Sequence, residues 1–592
     1  MQNDNVKFKI LLLGILFLGI FGWAKSSRAE IIPADRLATW RGNVGVKNGI
    51  PVRNTEIDCT QPPYNAHHDG TDTSSAINSC LSGISAGQVA YLPAGMYLVN
   101  SSVVIPSNKT LRGAGISQTI IQGNSEEIKI IDIHGFYTDC TPGVVTAFNI
   151  TSGSTQGSTQ LVLADASSIS TGDHLWLDEL NDSYIPVNPT GTGGTWPGSC
   201  YGRGTTRNRS QIVEVTGKTG NTVNIDPPML FTFSTGNSPQ AIKAGAPQYG
   251  DLGRYTHDAG VENLSLTMTA GVKPYLNIWS QGTANCWVKN VKVTTCGKRC
   301  VDLDIDNFRA EIRDSYFTGC YDQFNSDACY GVQIYASSSN LIENNVYDGT
   351  ANGPVVVGSS GNVIAYNYLH EVHRTASLTS WFWNDTWTHG SHCSCNLWEG
   401  NYHAGLAWDD YFESSSHNAI FRSRILGKDP TVSYDSYLQA TAAVAVDDDQ
   451  HYNTIVGNVL GTLGWNNKYQ EENATWYYTS KPVWGLEGSG ADSRVFSTML
   501  RHMNYDYFTN STKYCDSAGE PGCQGGDGSH TLPNSLYLSS KPSFFGNLSW
   551  PVIGPDLNPM TGMIPAKARF EGQNFPYGSD DITPPPRPLA SP

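Results

Sequence analysis

The chain has 592 residues, with 37 basic against 53 acidic side chains and a formal net charge of −16 at pH 7. That balance excludes a general nucleic-acid binder and a polybasic membrane patch, and it repels a polyanionic glycan unless a cation bridges the two.

Lys7 and Lys9 precede an apolar run from Ile10 to Trp23, then Ser27-Arg28-Ala29. This predicts a secretory signal over 1–29 and an exported chain, extracellular or periplasmic, that begins near Glu30. The run is too short for a comfortable membrane span, and no later stretch could span. No Cys follows the run closely, so a lipid anchor is not expected. Without residues 1–29 the balance is 33 basic against 52 acidic, or −19. All 13 Cys lie beyond the signal, and export makes disulfides expected. The nearest pairs are Cys515 with Cys523, Cys320 with Cys329 and Cys296 with Cys300. His389, His392, Cys393 and Cys395 lack the usual zinc-finger spacing.

Residues 30–139 are read as an N-terminal cap with the first coils. Ser74 to Ile77 opens a helix that Ser or Thr can cap. Asp69 to Ile77, Pro93-Ala94-Gly95-Met96-Tyr97 and Leu111-Arg112-Gly113-Ala114-Gly115 follow. This stretch resembles the pectate-lyase-like superfamily, in its rhamnogalacturonase/epimerase-like branch. The resemblance implies an all-β fold, a right-handed parallel β-helix with an N-terminal capping helix. It leaves the chemistry open, because that entry module precedes hydrolases, lyases, epimerases and phage tailspikes. Asp69 and Asp72 are read as structural.

Residues 140–255 break the pattern. Gln160–Leu163, Ile169–Leu177, Gln211–Val215 and Thr222–Ile225 alternate as short antiparallel strands. They predict a small inserted β subdomain. Its Gly-rich loop from Gly191 to Gly204 lacks the Lys-Ser/Thr ending of a phosphate loop.

Residues 256–510 carry a recurring phrase, Asn-x-apolar-x-x-Asn. Copies begin at Asn285, Asn340, Asn362, Asn396, Asn418 and Asn453. Counted on the last position, from a partial copy at Asn263, the intervals are 27, 25, 30, 22, 34, 22 and 35. A floor of 22 fits one coil of a β-solenoid and is too short for a propeller blade, which needs about 40 residues. Asn suits a tight corner because it tolerates the left-handed conformation. Stacked Asn side chains can bond one another from coil to coil.

The strand before each phrase should form another face, with alternate side chains outward. That set comprises Asn277, Trp279, Asp302, Asp304, Gln333, Tyr335, His389, Glu413 and Asp447. Taking Phe412, Val444 and Val446 as bore residues turns Glu413 and Asp447 outward on adjacent coils, with His389 one coil earlier. These three are the candidate catalytic residues, since carboxylates about 5–6 Å apart are used in glycoside hydrolysis. Asp409, Asp448 and Asp449 crowd the same place and are candidate Ca²⁺ ligands. Trp381, Trp383 and Trp387 in a polar loop, with Arg374 and Tyr335, are the candidate substrate contacts. Residues 511–582 should cap the last coil, and 583–592 form a Pro-rich extended tail.

The sequence thus predicts a secreted carbohydrate-active enzyme, a hydrolase or lyase, binding a polysaccharide along the coil groove. The alternative is a non-catalytic adhesion solenoid that binds glycan. Asn-x-Asp, Gly-His-Gly and Arg-x-Lys signatures of polygalacturonases, and the basic strands of Ca²⁺-dependent pectate lyases, are not evident.

Overall fold

The computed structural model describes residues 31–138, 145–187, 203, 206–245, 255–321, 329–373, 385–429, 442–472, 478–486, 492–516, 522–525 and 528–572. The chain is a parallel β-helix. An 11-stranded front sheet and a 22-stranded back sheet run its length, and two short three-stranded sheets turn the corner between them. Each coil passes from a front strand, through the corner, into two short back strands. The coil over 352–370 does so with Asn352–Val357, Val363–Ala365 and Tyr368–His370. Ile278, Val301, Val332, Val356, Trp408 and Val446 fill the bore between the sheets.

The repeated phrase makes two Asn ladders, one at each end of the first back strand. Its first Asn forms the chain Asn340 to Asn362 (2.9 Å), Asn362 to Asn396 (2.9 Å) and Asn396 to Asn418 (3.1 Å), each Nδ2 donating to the next Oδ1. Its last Asn forms a second chain through Asn345, Asn367 and Asn401, both steps at 3.1 Å. Ser423 takes the next place with its hydroxyl, and Asn458 and Asn504 continue the row. From Asn340 and Asn345 onward the left-handed backbone falls on the residue before each ladder position, among them Asn344, Tyr366, Arg422 and Tyr452. The expectation that the phrase Asn itself takes that conformation holds at Asn263, Asn285 and Asn290, with φ of 56°, 54° and 52°, and is corrected for the later coils. The ladder Asn is selected because its amide satisfies buried backbone and side-chain groups of both neighbouring coils.

The interruption before residue 256 is a closed six-stranded antiparallel barrel. Its strands are Ala147–Ser152, Gln160–Leu163, His174–Asp178, Ser210–Thr219, Thr222–Asp226 and Gln240–Lys243. Alternation divides its residues as strand geometry requires. Leu175, Leu177, Val213 and Val215 join its interior, whereas Trp176, Ile212 and Ile242 join a cluster with Tyr335, Val355, Val357 and Trp387 of the front sheet. The barrel therefore lies on the middle of the front face. Arg309 holds Asp226 at 3.0 Å, and Lys47 holds Glu214 at 2.8 Å.

Both ends of the described chain run lengthwise along the outside. The N-terminal segment crosses the coils in reverse order. Arg36 lies over Tyr452, Trp40 donates to the Cys395 carbonyl (2.7 Å), Gly45 to Ser339 (2.9 Å), Lys47 to Asn285 (3.1 Å), and Arg53 to Asp258 (2.7 Å). At the other end, Ser511–Lys513 pairs antiparallel with the last coil. The chain then travels back over the outer face of the back sheet. Arg422 holds Asp556 through two bonds of 2.9 and 2.8 Å, Glu399 accepts from Leu536 N (2.9 Å), and Glu343 accepts from Tyr537 (2.6 Å). So residues 531–572 cover a side of the solenoid, where the sequence predicts a cap over its last coil. The physical reason is the apolar outer row of Val363, Leu397, Phe421 and Val456, which needs burial and packs against Leu532, Phe544 and Phe545.

Disulfides link Cys296–Cys300, Cys320–Cys329 and Cys515–Cys523, and a fourth joins Cys59 to Cys80 beside the capping helix Ser74–Gly83. Asp72 accepts from Ser74 N and Asn100 N, and Asp69 from Thr71 N, so both hold turns. No described helix is long and apolar enough to cross a membrane.

A carboxylate cluster at the end of the front strands

Three successive front strands, Thr386–Thr388, Leu406–Trp408 and Val444–Val446, lie in register, with Thr388 beside Trp408 and Trp408 beside Val446. The next residue of each strand is therefore His389, Asp409 and Asp447. The bore takes Leu406, Trp408, Val444 and Val446, so alternation turns these three to the outer face. Asp409, not Glu413, is the neighbour of Asp447, and His389 precedes Asp409 by one coil.

The expected pairing of Glu413 with Asp447 fails because the strand ends at Trp408 and the chain turns at Asp410–Glu413. Glu413 has φ of 67° and bridges Val187 of the barrel segment. Phe412 is not a bore residue. It lies in the cluster beneath the barrel.

His389 Nδ1 and Asp409 Oδ2 are 2.5 Å apart. The imidazole stacks on Trp387 at 4.5 Å and lies 5.2 Å from the Tyr411 ring. Gln450 fixes the turn by donating to the carbonyls of Asp409 (3.0 Å), Glu413 (3.2 Å) and Asp448 (3.1 Å). Acids crowd the outer side. Burial, with Asp409 and Asp448 beside it, pushes the Asp410 carboxyl up to about 7. Burial, then Asp492 and Glu413, raise Asp449 to about 6 against the pull of Arg494. Burial also raises Glu413 and Asp448. A carboxyl at Asp410 that keeps part of its proton to neutrality, beside Asp409 bonded to an imidazole, is an arrangement suited to acid–base chemistry.

The proposed calcium set does not converge. Asp409, Asp448 and Asp449 are not among the described groups whose ligand atoms lie together. Those are Asp449, His451 and Asp492, and separately Asp348, His370 and Glu371. Arg494 already lies 2.8 Å from Asp492 and 3.3 Å from Asp449, supplying positive charge there. Among the aromatic candidates, Trp387 is 4% exposed and Tyr335 8% exposed. Both face the barrel, so neither is an open platform. Trp381, Trp383 and Arg374 lie outside the described residues. The sequence singles out Asp409 as a metal ligand and does not single out Asp410. The Asp409-Asp410 pair one residue past an apolar strand end was the available signal.

Residues 63–178 match the family described as Rhamnogalacturonase A/epimerase, pectate lyase-like. No curated protein sequence matches the chain. Among solved structures, the tailspike gp61 of Pseudomonas phage phi297 aligns at 11% identity over 76% of this chain and 70% of its own, with a TM-score of 0.46. The mannuronan C-5 epimerase AlgE6 A-module of Azotobacter vinelandii aligns at 14% identity over 73% and 94%, with a TM-score of 0.29. The surface adhesin PfbA of Streptococcus pneumoniae aligns at 12% identity over 76% and 90%, with a TM-score of 0.33.

Proposed function

We propose that this chain, a pectate-lyase-like parallel β-helix protein, is an exported glycoside hydrolase whose chemistry lies at Asp409 and Asp410. The observation that carries the reading is the split environment of these consecutive acids. Asp409 is bonded to His389, whereas Asp410 is raised to about 7. Asp410 gives its proton to the glycosidic oxygen as the C–O bond breaks. Asp409, oriented by His389, takes a proton from the water whose oxygen adds to the sugar carbon. Asp447 on the next coil, 1% exposed, adds negative field that favours the positive charge developing on the sugar ring. Glycans handled by proteins named in the comparisons agree with this reading, among them the capsular saccharide held by a phage AP22 tailspike. Four disulfides among the described residues agree with export.

The test is a polysaccharide panel assayed for new reducing ends and for absorbance from unsaturated sugars. Reducing ends without the absorbance support hydrolysis. Both signals together replace it with elimination. Binding without either signal favours the adhesion solenoid.

A further inference from the structure

Beyond the front face, the coils turn through the corner strands Cys393–Ser394, Ser415–Ser416 and Gln450–His451. One row of this corner runs Ser338, Ser360, Ser394, Ser416 and then His451 on successive coils. In the earlier coils the row is a plain hydroxyl ladder, with Ser338 Oγ 3.0 Å from Ser360 Oγ. Ser416 departs from that use. Its Oγ lies 2.7 Å from His392 Nε2 and 2.8 Å from His417 Nδ1. All three residues border a cavity of 160 Å³, together with Tyr452 and with Tyr184 and Arg209 of the barrel segment. Tyr184 is 48% exposed, so the cavity reaches the surface at that side.

The hydrogen bonds fix where each proton sits. Ser414 Oγ donates to the Pro186 carbonyl (2.8 Å), so it accepts from His392 Nδ1, 2.9 Å away. An imidazole that donates from Nδ1 keeps its lone pair on Nε2, and that lone pair faces the Ser416 hydroxyl. Ser416 therefore donates to His392 and accepts from His417. Burial, then the charge of Arg209, hold the His392 imidazole well below its ordinary value, which keeps it neutral with that lone pair available. Ser416, His392 and Ser414 thus stand as a nucleophile, a base and a group that orients the base. The Arg209 guanidinium is fixed by Glu179 (Nε to Oε1, 2.8 Å) and brings positive charge to the cavity wall, where a developing oxyanion needs it.

We propose that Ser416 is the nucleophile of a second active site, which hydrolyses a short acyl ester such as an O-acetyl group. Ser416 Oγ adds to the ester carbonyl carbon as its proton passes to His392 Nε2. The carbonyl oxygen becomes an oxyanion beside Arg209. The bond to the alcohol oxygen then breaks, and that oxygen takes the proton from His392. A water gives its proton to His392 while its oxygen adds to the acyl carbon. Ser416 Oγ leaves with that proton, and a carboxylic acid is released. The burial that keeps His392 neutral also makes its imidazolium a strong acid, which suits protonation of the leaving oxygen. Size selects the acyl group. A cavity of about 150 Å³ holds one benzene molecule, so this one takes an acetyl group and its ester link, and a long acyl chain does not fit. The site is separate from glycosidic cleavage at Asp410, and neither activity rests on the other.

The test joins two measurements on the full chain. One is labelling with methanesulfonyl fluoride, a serine-directed reagent of acetyl size, read by peptide mass spectrometry. The other is turnover of 4-nitrophenyl acetate and 4-nitrophenyl decanoate. The label should fall on Ser416 of the wild type, which decides the point even where a variant fails to fold. Acetate-ester turnover should drop about a hundredfold or more in Ser416→Ala, and the wild type should leave the decanoate ester uncleaved. Ser414 is a positioning residue that acts through His392, so Ser414→Ala should lower kcat about tenfold with KM held, and Ser414→Thr should restore most of it. No label on Ser416, or equal acetate-ester turnover in folded Ser416→Ala, overturns the proposal. Decanoate cleaved as fast as acetate overturns the assignment to short acyl groups.

Discussion

His389 and Asp409 stand at the same point of successive coils, with the imidazole Nδ1 2.5 Å from the carboxylate Oδ2. The bond crosses from one coil to the next, so the stacking of coils sets its geometry. If Asp409 is the base, Asp409→Asn should lower turnover on the cleaved glycan by about a hundredfold or more. His389→Gln should lower it less, by about tenfold, because the carboxylate remains. Both are read as kcat on folded protein, and turnover at the wild-type level in Asp409→Asn would remove the assignment.

Asp410→Asn should separate activity from stability. The folded carboxyl titrates near 7 and the ordinary one near 3.8. Between those values the folded chain holds a proton that the unfolded chain releases, so this group's contribution to stability falls as pH rises through the window. Asn cannot ionise. The variant should match the wild type in melting temperature near pH 4 and exceed it at pH 8 by about 2–4 °C, while losing cleavage. A variant less stable than wild type at pH 8 would contradict the crowding of Asp410 by Asp409 and Asp448.

Asn367→Ala tests the second ladder. Asn367 Oδ1 accepts from Asn345 N (2.9 Å) and Nδ2 (3.1 Å), and its own Nδ2 donates to the Ile342 carbonyl (2.9 Å). Removing it leaves buried groups unsatisfied on two coils, at a cost of about 3 kcal/mol in denaturant unfolding. Asn367→Ser should cost less, since Ser423 occupies an equivalent place and accepts from Asn401 N at 3.3 Å.

The C-terminal strap should loosen when Arg422 is changed to Gln. Arg422 is 2% exposed and bonds Asp556 and the carbonyls of Pro533 (2.8 Å) and Ile553 (3.0 Å). Limited proteolysis should release a fragment from beyond residue 530 at least tenfold faster than in wild type, with the coils still resistant. Equal rates would mean that apolar burial alone holds the strap.

The phrase made the coils legible because each Asn serves two neighbours, so its spacing records the stacking directly. Register on the front sheet was harder to read. From Val357 to Asn362 the corner takes five residues, whereas from Trp408 to Asn418 it takes ten. A fixed count back from Asn418 lands on Glu413, while the strand ends at Trp408. The barrel strands were readable from alternation. Their resting place over Tyr335 and Trp387 was not, because Trp176, Ile212 and Ile242 look like any outward barrel residues until a partner face is known.

The N-terminal segment is synthesised first and has the latest partners. Trp40 needs the Cys395 carbonyl, 355 positions further on, and Arg36 needs Tyr452. Neither exists until most coils have formed, so residues 31–53 wait undocked while the solenoid grows beside them. Contacts of such sequence separation form late and slowly. Once seated, the segment joins coils that otherwise touch only their neighbours. Peeling from either end then requires breaking this seam along several coils together, which makes a one-dimensional stack unfold as one unit.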